Sequence, residues 1–158
     1  MKTHEVMKAV ASVVSVGALL LAPAAGASEC KEVHGVLVEQ PSTEGCLDPT
    51  RSCFLGEVHA NHGLQGTTHF QGQESRAAPP GSPGWFSYNG TFHYTLQGGT
   101  LVMRETGLTG AGFVTAHKQI LEGTGKFAGA TGYFFVSGLW VDGNTRISTQ
   151  VSGEICLP

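Results

Sequence analysis

Glu122-Gly-Thr-Gly-Lys-Phe-Ala-Gly-Ala-Thr-Gly132, running into Tyr133-Phe-Phe-Val-Ser-Gly-Leu-Trp-Val141, is the stretch whose reading decides the fold. Its glycines invite a nucleotide reading, because Gly-rich loops at helix N-termini cradle phosphates with backbone amides. The context rejects that reading. A phosphate-binding loop requires Gly, four residues, then Gly-Lys-Ser/Thr, but the four residues Leu121 to Thr124 before Gly125 are preceded by Ile120, and Phe127 follows Lys126. After Gly132 comes a β-branched and aromatic run, which favours a strand and supplies no helix dipole. The glycines therefore read as a connection between two strands, with φ > 0 and close backbone approach as their purpose.

Working outward, the same punctuation recurs along the chain. His34–Glu39, Cys53–Ala60, Gln65–Glu74, Trp85–Leu96, Thr100–Leu108, Gly112–Leu121, Tyr133–Asp142 and Thr145–Cys156 are short runs separated by Gly-, Pro- and Asn-containing breaks. No stretch of ten or more residues carries helical periodicity. The segment from Arg76 to Gly84 holds three prolines and reads as a loop. Eight short strands joined mainly by tight turns predict an all-β, eight-stranded antiparallel up-and-down barrel, with a sandwich as the alternative, because closure removes exposed edges.

Residues 1–27 read as a secretory signal peptide. Lys2 and Lys8 precede an apolar run from Ala9 to Ala22, and Ala25-Gly-Ala27 offers a small-x-small cleavage pattern. Cleavage after Ala27 leaves a domain of residues 28–158, about 131 of the 158 residues, expected to be extracellular. No later run is long and apolar enough for a membrane helix. Removing Lys2, Lys8 and Glu5 from nine basic and twelve acidic residues leaves seven and eleven, a net of −4 with histidines neutral. That balance argues against nucleic-acid and anionic-membrane partners, which require clustered cations.

The four cysteines, Cys30, Cys46, Cys53 and Cys156, allow three pairings. Export favours disulfides over zinc, and no Cys-x-x-Cys pair is present. We favour Cys46–Cys53, closing the turn around Leu47-Asp-Pro-Thr50, and Cys30–Cys156, tying the ends of the domain together.

The opening stretch, preceded by Ile120-Leu-Glu, resembles the glycine-rich signature of dirigent proteins and allene oxide cyclase barrels. The likeness is closer to uncharacterised secreted bacterial members of that superfamily, which share a signal peptide, an ending like Gly153-Glu-Ile-Cys156, and a segment like Thr100-Leu-Val-Met-Arg-Glu105. The sharp motif covers about eleven residues, and Glu122 stands where the plant motif usually has glycine. The resemblance implies an eight-stranded barrel with a mostly apolar pocket that shapes a reactive intermediate; dimers or trimers are common among such barrels. No catalytic residue of the plant families aligns with a numbered position here.

Strand parity supplies site candidates independently. In the fourth strand Phe86, Tyr88, Phe92 and Tyr94 share one face; in the fifth, Leu101, Met103 and Glu105 do; in the third, Phe70 carries Glu74 inward with it. A carboxylate among rings has a raised pKa and can act as acid or base, which makes Glu105 the candidate catalytic residue. Its bland alternative is a position at the rim or a pairing with a neighbouring Arg or Lys. The leading expectation is a secreted barrel that binds a small apolar or aromatic molecule and steers its cyclisation or isomerisation without a cofactor. The alternatives are a non-catalytic barrel with a filled core and a metal enzyme using the histidines, although their spacing brings no three together.

Overall fold

The computed structural model describes residues 29–48, 50–77 and 81–158; the expected signal peptide lies outside them. Its strands are β1 (Glu29–Pro41), β2 (Cys53–Ala60), β3 (Gln65–Ala77), β4 (Trp85–Leu96), β5 (Gly99–Gly110), β6 (Phe113–Gly123), β7 (Thr131–Val141) and β8 (Arg146–Leu157). Each pairs antiparallel with the next, and β8 pairs with β1 to close an eight-stranded barrel. β1 begins at Glu29, five residues before the apolar run that advertises it, because its polar start pairs with the end of β8. The sequence around Arg76 reads as loop, yet Arg76 and Ala77 pair with Ser87 and Phe86 and belong to β3.

Alternation sorts the side chains. Val33 and Leu37 from β1, Phe92 and Tyr94 from β4, Leu101 and Met103 from β5, Phe134 and Val136 from β7, and Val151 and Ile155 from β8 point inward and form one core. Each such buried side chain contributes about 1.5–3 kcal/mol. Two bulges interrupt the alternation. One between Gly72 and Glu74 lets Phe70 face Phe92 while Glu74 pairs with Asn89 on the outside. The other, at Val102/Met103, keeps Ile120 inside and leaves Leu121 exposed.

The disulfides are Cys30–Cys156 and Cys46–Cys53. Cys30 sits directly opposite Cys156 in the β1–β8 ladder, so this bridge pins the seam at which the barrel closes. It spans 126 positions, and a loop of that size stabilises by about 4 kcal/mol on chain-entropy grounds. Cys46–Cys53 braces the β1–β2 connection at the opposite end.

The glycine-rich connection forms a single 3-10 turn, Gly125–Phe127, between β6 and β7. Phe127 turns into the core and is buried there. The turn is held against the β4–β5 hairpin: the Lys126 N–H donates to the Gly98 carbonyl at 2.8 Å, and the Thr124 N–H donates to the Thr100 carbonyl at 3.0 Å. Gly125 has φ of 59°, and any Cβ there would collide with the Gly98 carbonyl. Glycine is required at this point for both reasons. The connection thus closes one end of the barrel, with Phe127 as its plug.

Candidate functional site

Polar residues enter the interior wherever the inward row of a strand carries one. β5 presents Leu101, Met103 and then Glu105; β6 presents Val114, Ala116, Lys118 and Ile120. Glu105 and Lys118 stand directly opposite each other in the β5–β6 ladder. Lys118 has no exposed surface and Glu105 only 4%. The Lys118 Nζ lies 3.1 Å from Glu105 Oε2, yet neither atom makes an aligned hydrogen bond. The contact is therefore a charge pairing, and the short separation matters more than the poor angle in so buried a place. The ammonium also sits 3.0 Å from the centroid of the Phe92 ring and 5.7 Å from that of Tyr94. The other carboxylate oxygen, Glu105 Oε1, accepts a hydrogen bond from the Tyr88 hydroxyl at 2.9 Å.

A second carboxylate, Glu39, comes from the inward row of β1 and is also buried. Burial pushes its pKa up to about 7; the Lys118 charge opposes the rise, and the Glu105 charge adds to it. Burial, and then the Glu105 charge, hold the Tyr88 and Tyr94 hydroxyls well above their ordinary value, so both stay protonated. Among the described residues the interior therefore holds two carboxyl groups against one ammonium. Around them stand Phe70, Phe92, Tyr94 and Phe134, with successive centroids 4.8–6.2 Å apart. Toward the end away from Phe127, the half-buried Phe54, Tyr88 and Trp140 extend this aromatic wall, with Phe54 5.9 Å from Trp140 and 6.1 Å from Phe70.

The structure brings Glu105, Tyr88, Phe92, Tyr94 and Met103 together, as their parity implies. Two candidates lie elsewhere. Glu74 is on the outside, within 3.5 Å of Arg76 and Asn89, because the bulge after Gly72 inserts one residue and reverses the parity. Phe86 keeps its parity but lies at the strand's start, beyond the packed rings, and is 47% exposed. Strand-by-strand reading overlooked Glu39 and Lys118. The signal was there: Val33, Leu37 and Glu39 share one face, as do Val114, Ala116, Lys118 and Ile120.

Among the described residues the histidines do not converge. His69 and His93 face each other on the outer wall with centroids 6.5 Å apart, and His117 lies between Tyr133 and Phe135 on the outside of β6 and β7. His62 Nε2 lies 3.0 Å from the Glu32 carbonyl, near the plugged end. Two groups of potential metal ligands, Cys46–Cys53–His69 and Cys30–Glu154–Cys156, draw their sulfurs from the two disulfides, so no thiolate is offered in this state. The fold and interior together define a closed barrel with an ionic centre inside an aromatic wall. No family model and no curated protein sequence matches the chain.

Proposed function

We propose that the barrel binds a small apolar or aromatic molecule in its interior, against the Glu105–Lys118–Tyr88 centre, and steers a cyclisation or isomerisation there. The observation that carries this reading is the placement of an ion pair and a second carboxyl group among aromatic rings, where apolar side chains of like volume would be at least as stabilising. The sequence resemblance to dirigent and allene oxide cyclase barrels supports the same reading. In it, Tyr88 and Lys118 hold Glu105 in one orientation, so its charge is available to stabilise positive charge developing on a bound molecule. Tyr94 adds a ring for the same purpose, the Phe92 face being taken by the Lys118 ammonium.

The filled-core alternative is favoured by the close packing of Phe92, Tyr94 and Met103, none of which has more than 1% of its surface exposed. Equilibrium titration with a phenol such as 2-naphthol and with a conjugated polyene separates the two readings. Saturable binding of one molecule per barrel supports the interior site; absence of saturation with either probe removes it. Where a probe is turned over, Glu105→Gln should slow the reaction by about tenfold or more at unchanged KM. Equal rates would take Glu105 out of the chemistry.

A further inference from the structure

The interior has more acceptors than donors at one place. Glu39 lies opposite Gly56 in the β1–β2 ladder, and Gly56 lies opposite Thr68 in the β2–β3 ladder. Because Gly56 has no side chain, Glu39 and Thr68 close over it: a Cβ there would meet both Glu39 Cγ and Thr68 Oγ1 at 2.8 Å. Thr68 Oγ1 is buried and has no hydrogen-bond partner, and the same is true of the Tyr94 hydroxyl on the neighbouring strand. Among the described residues, no hydrogen bond reaches the Glu39 carboxyl, whereas Glu105 accepts one from Tyr88 and is paired in charge with Lys118. A groove of about 480 Å³ on the outer face backs on to this place, with Glu39, Gly56 and Thr68 in its lining.

The Thr68 and Tyr94 hydroxyls each carry one donor and two lone pairs, and an ionised Glu39 carries lone pairs only, so acceptor positions outnumber donors here and a further donor that carries positive charge fits best. Lys118 shows the pattern within the protein: one ammonium placed between a carboxylate and the face of Phe92. Glu39 and Thr68 offer the same kind of acceptors, and the one ammonium whose charge reaches Glu39, that of Lys118, is already paired with Glu105. We infer that the interior site selects hydrophobic amines, taking the protonated amino group at Glu39 and Thr68 and the apolar body against the aromatic wall. This rests on the interior-binding reading above and names the class of ligand for it. The ammonium donates to the Glu39 carboxylate and to Thr68 Oγ1, and a neighbouring ring face completes its surroundings.

Binding is coupled to protonation, since the amine pairs with Glu39 only after that carboxyl has lost its proton. The titratable groups that face Glu39 are Glu105 from β5, Lys118 from β6, and Tyr88 and Tyr94 from β4; Gly56 and Thr68 from β2 and β3, and Ile147 and Thr149 from β8, do not titrate. Burial sets the Glu39 pKa to about 7, so the carboxylate dominates above that pH and the neutral acid below it.

Three probes sharing one skeleton test the inference: phenylbutylamine, phenylbutanol and phenylbutyrate, titrated calorimetrically into the purified protein. At about pH 8.5 the amine should bind at least tenfold more tightly than the alcohol, and the carboxylate more weakly than either. At about pH 5.5, where the amine is still charged, its advantage should shrink by about tenfold while alcohol binding stays constant. Glu39→Gln should abolish the advantage at both pH values, bringing amine binding to the level of the alcohol. Should that variant fold poorly, the pH series on the unaltered protein reads the same quantity. An alcohol that binds as tightly as the amine at the higher pH overturns the inference and leaves interior binding standing. If none of the three binds, interior binding falls and the inference falls with it.

Discussion

Lys118 and Glu105 face each other from adjacent strands with almost no exposed surface, and each needs the other. Removing one partner leaves an uncompensated buried charge. Lys118→Met should therefore destabilise by about 3–5 kcal/mol in urea titrations near neutral pH, whereas Lys118→Met with Glu105→Leu should recover most of that loss. A double variant no better than the single would mean that the pair is not electrostatically coupled. Glu39 gives a second prediction with a definite sign. Its pKa rises from 4.5 to about 7 on folding, so the folded state holds a proton that the unfolded chain releases. The stability linked to that proton is present below about pH 4.5 and is lost as pH rises through about 7, by about 3 kcal/mol in all. Glu39→Gln should remove this dependence; an unchanged pH profile would place the titration on another group. Glu105 was legible because the alternation Leu101, Met103, Glu105 is uninterrupted, and Lys118 lay in an equally regular row. What alternation lacks is the partner across the ladder, because register is set by the whole closed sheet and not by one strand.

Among the elements, the β6–β7 connection carries the most consequence for its length. Its three-residue turn places Phe127 in the core and packs its backbone on the β4–β5 hairpin. Phe127→Ala should cost about 3 kcal/mol or more. Added ATP should leave the melting temperature unchanged for either form, because the loop amides at Thr124 and Lys126 already donate to backbone carbonyls. The glycine pattern announced this connection from the sequence alone, since few residues other than glycine meet the positive φ of Gly125. Glu74 lies outside the barrel, against its expected parity, for a reason of the same scale. A bulge adds one residue to one strand, and Gly72-Gln-Glu74 carries no signature that separates a bulge from an ordinary strand glycine.

For the whole molecule, the barrel's closure depends on β1 finding β8 across nearly the full chain, and Cys30–Cys156 fixes that seam. Replacing both cysteines by serine should lower stability by about 4 kcal/mol in denaturant titrations, more than the loss from opening the seven-residue separation of Cys46–Cys53. The number of strands, their antiparallel sequence and both disulfides were readable from the chain, because turn punctuation and cysteine position are local facts. The ionic centre was readable only in part, because it forms where three separate inward rows meet. Interior binding of a ligand is the proposal on which the reading of this barrel's function rests. Its most direct test is the intermolecular nuclear Overhauser effect between bound 2-naphthol and the methyl group of Met103, which has no exposed surface and faces the interior. Interior binding predicts cross-peaks to Met103 that saturate at one naphthol per barrel. Contacts confined to outward-facing residues such as Phe135, with none to Met103, would contradict it.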